Sequence, residues 1–189
     1  MQNELFLDPS DSGWYSTTGK DPAVLLRLKE DYDGAEPSGA SVTVRNLIRL
    51  AQLTGESGYL EQVQRALERY GPGLGQVVRV MPLMASNLAL WHARRTEIVL
   101  AGAAGAPEVA GLERVVSDCY LPWSVVVPLD PKAHRPSPRM PWLAAMKLKD
   151  DQPTAYVCQD FACQSPTNDP EQLRIQVEDA AATRRIIAP

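Results

Sequence analysis

The sequence predicts a mainly helical chain with a small α/β unit in its second half. Between residues 41 and 92, apolar residues recur at helical spacing in three successive stretches. Farther on, two short β-branched runs, residues 97–101 and 124–129, flank one amphipathic stretch. Strand, helix and strand within about 33 residues indicate a βαβ unit with parallel strands and a right-handed crossover. We therefore expect residues 1–95 to form helical hairpins and residues 96–189 to form a small α/β unit with a closing helix.

The helical half begins after a loop, because residues 8–39 are rich in Asp, Ser, Gly and Pro. Ser41 is the expected N-cap of the first helix and Gly55 its expected end. The short TGESG turn then predicts an antiparallel second helix. The apolar stripes of the three helices are Val44, Leu47, Ile48 and Ala51, then Leu60, Val63, Leu67 and Tyr70, then Met81, Met84, Leu88 and Trp91.

The second half alternates strands and helices. EIVLA at residues 97–101 and SVVVPL at residues 124–129 predict strands, and a helix opens between them at Pro107. Residues 131–141 contain four prolines and predict a loop. A third strand is expected at residues 155–158, and a final helix begins after Asp169 with Pro170 in its first position. The predicted sheet therefore has three strands.

Composition and charge exclude several classes of function. The net charge of −4 supplies no basic face for phosphates, so we expect no nucleic-acid partner. No apolar run approaches the roughly 20 residues that span a bilayer, and the N-terminus lacks the pattern of a signal peptide. The three cysteines are an odd number and argue against a disulfide framework. We therefore expect a soluble, cytoplasmic chain, and the sequence indicates no metal and no cofactor.

Two segments carry distinctive motifs. One is KEDYDGAEPSGASVTVRNLIRLAQLTG, residues 29–55, and the other is TAYVCQDFACQSPTNDPEQL, residues 154–173. Both resemble the C-terminal third of the spermatogenesis-associated, thioredoxin-domain-containing family. EIVLAG followed by a helix, and then DCYLPWSVVV, also fit the order of elements in that family. The resemblance covers most of the chain.

The resemblance implies a larger protein. Family members have an N-terminal thioredoxin-like domain and then a helical region similar to the α/α-toroids of sugar epimerases and six-hairpin glycosidases. This chain would hold the closing hairpins of a partial toroid, and its expected partners are the thioredoxin-like domain and the remaining toroid. The apolar run at residues 5–7 fits either a first element or the edge of such a larger chain, and a severed toroid is expected to self-associate. At Ala40 the chain departs from the family, whose expected pattern is Pro-Ser-Gly-Asn-Ser.

An acidic cluster in the loop before the first helix is a candidate site. Glycoside chemistry uses paired carboxylates, one as acid and one as base or nucleophile. In α/α-toroids such loops line the central cleft, so the resemblance implies a suitable place for this chemistry. Alternatively, these residues solvate the start of the helix, where its dipole favours negative charge. The candidates are Glu30, Asp31, Asp33 and Glu36, with Ser38 as a ligand-binding neighbour.

Aromatic and thiol side chains provide two further candidate sites. Trp14 and Tyr15 lie on a second glycine-containing loop and offer a stacking platform for a sugar. Cys158 and Cys163 are too widely spaced for the common redox pair. Cys158 ends an apolar strand, where a free cysteine is commonly a small hydrophobe, so buried structural thiols are expected. A disulfide or redox role and a metal role are the alternatives.

The remaining polar and glycine features favour structural roles. The Gly-containing turn at residues 102–105 lies where Rossmann-type proteins bind pyrophosphate, but its fingerprint is incomplete, so a plain strand-to-helix turn is expected. His92 is expected to be a structural histidine on a helix face, and His134 carries no pattern.

Three hypotheses follow from these features. The chain binds or processes a sugar-like ligand as part of a larger protein, it is a non-catalytic structural or interaction module that supports a thioredoxin-like domain, or it has a thiol-redox role.

Overall fold

The chain has a mixed α/β fold in two units. The computed structural model describes residues 2–103, 105–132 and 137–182, and His134 lies outside these ranges. The described residues form six α-helices and one four-stranded mixed sheet. The first unit comprises Met1–Ala51 and Glu56–Trp91, and the second comprises Gln52–Gly55 and His92–Pro189.

Helices dominate the first unit and confirm the three that the apolar stripes predict. The elements are α1 (Gln2–Phe6), α2 (Gly39–Thr54), α3 (Ser57–Val77), a 3-10 turn (Val78–Val80) and α4 (Pro82–His92). The last three residues of α2 belong to the second unit. The core of the first unit contains side chains with no exposed surface, among them Val44, Ile48, Val63, Ala66 and Met84.

The start of α2 differs from the expectation. The helix begins at Gly39, and the Ser41 N–H donates to the Ser38 hydroxyl oxygen at 3.1 Å. Ser38 is therefore the N-cap, and the predicted cap at Ser41 is wrong. Gly55 follows the last residue of α2 with a φ of 75°, a left-handed conformation that favours glycine, so the predicted end is confirmed.

The second unit is a sheet covered by two helices. Its elements are β1 (Thr96–Ala101), α5 (Pro107–Asp118), β2 (Ser124–Leu129), a 3-10 turn (Pro141–Ala145), β3 (Thr154–Gln159), β4 (Ala162–Cys163) and α6 (Pro170–Ala182). The strand order is β2-β1-β3-β4. β1 and β2 are parallel, which confirms the predicted βαβ unit, whereas β3 is antiparallel to both β1 and β4. The expectation of three strands is wrong, because β4 adds a fourth.

The sheet has a buried core on each face. All six residues of β1 are buried, which is typical of a central strand covered on both sides. On one face, Ile98 and Leu100 pack in a cluster with residues of α5 and α6. On the other face, Val99 and Cys158 pack in a cluster with Leu143 of the second 3-10 turn. The side chains of residues 97, 99 and 158 therefore share the face opposite the one that packs against α5 and α6.

Candidate functional site

A pocket in the first unit brings together two of the predicted ligand-binding residues. It has a volume of about 270 Å³ and lies between the loop of residues 14–16 and the start of α2. We name it the Trp14 pocket. Its lining is Gln2, Phe6, Trp14, Tyr15, Ser16, Glu30, Gly39, Ala40 and Thr43.

Trp14 is a fixed wall of this pocket. Only 4% of its surface is exposed, and its indole N–H donates to the side-chain oxygen of Asn3 at 3.2 Å. Two backbone contacts join this loop to the end of α1. Leu7 pairs with Trp14, and the Tyr15 N–H donates to the Phe6 carbonyl at 2.8 Å. The indole is therefore fixed in place, and only a small part of its surface borders the pocket.

A charged cluster positions Tyr15. The Tyr15 hydroxyl donates to Asp8 Oδ2 at 2.6 Å, and Lys29 Nζ donates to the same oxygen at 2.6 Å. The Arg27 guanidinium lies 3.9 Å from the Tyr15 ring centroid, so a cation occupies one face of the ring. The Lys29 ammonium holds the pKa of Asp8 far below its usual range, and the bond to Asp8 raises the pKa of Tyr15. This cluster leaves no signal in the sequence, because its members lie in an irregular loop without periodic spacing.

Asp33 joins backbone segments and does not face the pocket. Its Oδ1 accepts the Ser38 N–H at 2.9 Å, and its Oδ2 accepts the N–H groups of Leu83 and Met84 at 2.9 and 3.2 Å. Burial acts to raise the pKa of Asp33, but these hydrogen bonds outweigh burial and lower it. The carboxylate therefore satisfies the first turn of α4 and the segment that leads into α2.

Asp31, Glu36 and the neighbouring Ser38 are also absent from the lining of the pocket. Asp31 Oδ2 lies 3.6 Å from Arg69 Nη2, and Glu36 is exposed. Ser38 is buried as the cap of α2. None of Asp31, Asp33, Glu36 and Ser38 is among the described residues that line the Trp14 pocket, whereas Glu30 is.

The floor of the pocket is the first turn of α2. Ala40 lies there with 3% of its surface exposed, at the position where the family is expected to have Asn. Thr43 accepts a hydrogen bond from the Gln2 amide at 2.6 Å and donates to the Gly39 carbonyl at 2.6 Å. Ala40 therefore adds a methyl group and no polar side-chain atom to this floor.

In the second unit, Cys158 and Cys163 form a disulfide. The expectation of two buried free thiols is therefore wrong. The two residues are directly opposite each other on β3 and β4, and their Cα atoms are 3.8 Å apart. Cys158 is 1% exposed, whereas Cys163 is on the surface. Cys119 is a half-buried free thiol, and the described residues contain no group of three His, Cys, Asp or Glu side chains that could hold a metal ion.

A buried carboxyl group lies beside this disulfide. Glu97 on β1 is directly opposite Cys158 and is 1% exposed. Burial raises the pKa of Glu97 to about 7, although a hydrogen bond from the Phe161 N–H opposes the rise. Its Oε2 atom has no hydrogen-bond partner among the described residues. In the sequence Glu97 is only the first residue of a predicted strand, and a single acid there carries no functional pattern.

Comparisons with known proteins show that this chain is similar to part of longer proteins. No protein-family model and no solved structure matches the chain. No helix within residues 2–103, 105–132 and 137–182 is long and apolar enough to cross a membrane. Curated proteins from animals are similar to nearly the whole chain, and they are much longer than it. The chain thus has the sequence of a mixed α/β segment found within longer proteins.

Human, mouse and nematode proteins contain a segment similar to this chain. Human spermatogenesis-associated protein 20 is 34% identical over 176 residues, which cover 92% of this chain and 22% of that protein. The mouse protein of the same name is 32% identical with the same coverage. An uncharacterized protein of Caenorhabditis elegans is 27% identical over 86% of this chain. The chain is therefore a homologue of a segment of spermatogenesis-associated protein 20, which confirms the family resemblance, and it spans about a fifth of these relatives, 22% of each.

Proposed function

We propose that this chain contributes a binding site for a sugar-like ligand to a larger protein of the spermatogenesis-associated protein 20 family. The observation that carries the proposal is the Trp14 pocket, in which Trp14, Tyr15 and Glu30 line one volume of about 270 Å³. An aromatic wall beside a few polar groups is typical of small-molecule sites. The volume lies just below the roughly 300–1,000 Å³ of pockets for drug-sized ligands, so a single sugar ring is the ligand of suitable size.

The proposed role in this chain is binding and not catalysis. Glycoside hydrolysis uses two carboxyl groups, about 5–5.5 Å apart in retaining enzymes and about 6.5–9.5 Å apart in inverting ones. Glu30 is the single carboxylate among the described residues that line the pocket. Asp33 accepts three backbone N–H bonds and is not free to react. Any processing of the ligand therefore requires a second carboxylate from the rest of the larger protein.

The proposed setting of the pocket is a partial α/α-toroid. A short turn at residues 55 and 56 joins α2 to α3, as in helical hairpins, and the 3-10 turn at Val78–Val80 leads into α4. The relatives are several times longer than this chain, so they have ample sequence for further hairpins and for a thioredoxin-like domain. In this proposal the first unit supplies closing hairpins and the α/β unit follows them.

Thermal unfolding with sugars tests the binding site. Glucose, mannose and N-acetylglucosamine are each added at 100 mM to the 189-residue chain. A sugar with a Kd of about 1 mM would stabilise the chain by about 2.7 kcal/mol at this concentration. At least one of the three is expected to raise the Tm, and unchanged Tm values with all three would contradict the proposal.

Matched variants locate the binding. Glu30→Gln removes the carboxylate that lines the pocket, whereas Glu36→Gln removes an exposed carboxylate from the same loop. We expect the first variant to reduce the stabilisation by the sugar and the second to leave it unchanged. Ala40→Asn introduces the amide of the expected family pattern and should strengthen binding. Equal effects of the two acidic variants would place the sugar outside the Trp14 pocket.

A second candidate function is an interaction module. The segment before α2 exposes large apolar side chains: Leu25, Leu26 and Leu28 are 98%, 72% and 58% exposed, and Tyr32 is 63% exposed. Such surfaces commonly mark protein contacts. The candidate partner is the rest of the larger protein, either its remaining helical hairpins or its thioredoxin-like domain. Stronger amide protection of residues 23–32 in the full-length protein than in the 189-residue chain would support this role, and equal protection would contradict it.

A further inference from the structure

We propose that the Cys158–Cys163 disulfide is a thiol–disulfide exchange site, in which a dithiol attacks the exposed Cys163 sulfur and Glu97 gives a proton to the departing Cys158 sulfur. The site lies in the second unit and is independent of the sugar-binding proposal. The reactant is defined by its chemistry as a molecule with two neighbouring thiols.

The strand register aligns the three residues. Glu97 is directly opposite Cys158 in the β1–β3 pair, and Cys158 is directly opposite Cys163 in the β3–β4 pair. Directly opposed residues of antiparallel strands point to the same face, with Cβ atoms about 4.5–5.5 Å apart. The carboxyl group of Glu97 and the disulfide therefore lie side by side on one face of the sheet.

The hairpin turn completes the arrangement. Asp160 and Phe161 form a two-residue connection with φ values of 49° and 64°, the conformation of a type I′ turn. The Phe161 N–H of this turn donates to the Glu97 carboxyl group. This bond holds Glu97 against the hairpin that contains both cysteines, and it leaves Oε2 without a partner in the described part of the chain.

Exposure gives the two sulfur atoms different roles. Cys163 is on the surface, so a thiolate can reach its sulfur, whereas Cys158 is 1% exposed and its sulfur is the leaving group. A thiolate released into a buried site is poorly solvated, and a neighbouring proton donor stabilises it at once. Glu97 is protonated in about half of the molecules near pH 7, because burial raises its pKa to about 7.

The exchange balances in atoms and electrons. A thiolate of the dithiol forms a bond to Cys163 Sγ, the bond between Cys163 and Cys158 breaks, and Cys158 takes the proton of Glu97. The second thiol of the dithiol loses its proton to water and attacks its own partner sulfur, which releases Cys163 as a thiolate that water protonates. The dithiol is oxidised by two electrons, the disulfide is reduced to two thiols, and Glu97 recovers its proton from solvent.

A purely structural role does not account for Glu97. A buried carboxyl oxygen without a partner destabilises the fold, and a neutral side chain of similar size would avoid part of this penalty. The charged groups that act on Glu97 in the described residues are Asp160, which raises its pKa, and Arg95, which lowers it. Arg95 and Asp160 also lie within 3.8 Å of each other. They adjust the acidity of the carboxyl group and leave its Oε2 unpaired.

The test is the rate at which dithiothreitol reduces the disulfide in the oxidised 189-residue chain between pH 5.5 and 8.5. Samples are quenched with N-ethylmaleimide, and mass spectrometry measures the fraction of reduced chain. The observed rate constant is then divided by the concentration of dithiothreitol thiolate at each pH. We expect the rate constant per thiolate to fall as pH rises, with a midpoint near 7, the value to which burial raises the pKa of Glu97. A rate constant that does not change with pH would overturn the proposal.

Two variants separate a proton donor from a general effect of charge. Glu97→Gln is expected to slow the reaction at pH 6 on the order of tenfold to 100-fold and to abolish its pH dependence. Asp160→Asn removes a neighbouring charge and is compatible with the positive φ, so it should keep the profile and move its midpoint to lower pH. Glu97→Gln with the wild-type profile would overturn the assignment of Glu97.

A direct test of the attacked sulfur needs no variant. Glutathione, a monothiol, is added to the oxidised chain, and peptide mass spectrometry locates the mixed disulfide. We expect glutathione on Cys163. Glutathione on Cys158, or free thiols at both cysteines in the air-oxidised chain, would overturn the proposal.

Discussion

Replacement of Asp33 by alanine tests whether this buried acid is a structural group. Its two oxygens accept N–H bonds from Ser38, Leu83 and Met84 at 2.9, 2.9 and 3.2 Å, and the residue is 6% exposed. A hydrogen bond to a charged group is worth about 1.5–3 kcal/mol, and neighbouring bonds are not fully additive. We therefore expect Asp33→Ala to lower the free energy of unfolding of the first unit by about 4 kcal/mol.

Hydrogen exchange measures this loss within the first unit. The amides of Ser38, Leu83 and Met84 should exchange much faster in Asp33→Ala than in the wild type, and urea unfolding should show a lower midpoint. Glu36→Ala, in the same loop but exposed, should change stability by less than about 0.5 kcal/mol. If Asp33→Ala were as stable as Glu36→Ala but failed to bind a sugar, the structural assignment of Asp33 would be refuted.

Three further changes have predictable effects on stability. Burial raises the pKa of Glu97 from 4.5 to about 7, so the folded chain favours the neutral acid and loses stability as pH rises between these values. The free energy of unfolding of Glu97→Gln, measured in urea, should therefore rise by about 2.5 kcal/mol relative to that of the wild type between pH 5 and 8. A difference between variant and wild type that stays constant over this range would contradict the raised pKa. Gly102→Ala should cost about 1–3 kcal/mol in thermal unfolding, because the new Cβ would lie 2.6 Å from Val109. Gly111→Ala is its control inside α5, where the new Cβ meets Pro170 at an ordinary 3.5 Å, and it should stabilise the chain by about 0.5–1 kcal/mol.

Periodicity in the sequence located five of the six α-helices in the described residues, all but α1, but it did not always orient them. In α2 the predicted stripe of Val44, Leu47, Ile48 and Ala51 is buried, together with the polar residues Ser41, Thr43 and Gln52. In α4 the buried side chains are Met84, Asn87 and Leu90, and not the expected Leu88 and Trp91. Asn87 can be buried because it donates to the Ser41 carbonyl at 2.7 Å and accepts from Arg45 at 2.6 Å. These partners lie more than 40 residues earlier in the sequence, so no local pattern indicates them.

The candidate site was predictable only in part for a similar reason. Trp14 and Tyr15 could be chosen from their residue types, and the structure places both in one pocket. Residue type alone does not show which acid of the loop is structural. Only the backbone N–H groups of a helix distant in sequence distinguish Asp33 from the neighbouring acids. The disulfide likewise depends on the tight turn before β4, a strand of two residues that is too short to leave a periodic signal.

The most direct test of the proposed binding site is an NMR titration that observes Trp14 itself. The 15N-labelled chain is titrated with glucose, mannose and N-acetylglucosamine, and the indole N–H signals are followed together with the amides of Tyr15 and Ala40. We expect one of these sugars to move the Trp14, Tyr15 and Ala40 signals along a saturating curve, while the indole signals of Trp123 and Trp142 in the second unit stay in place. If no sugar moves the Trp14 signal, or if all the indole signals move alike, the Trp14 pocket is not a sugar site.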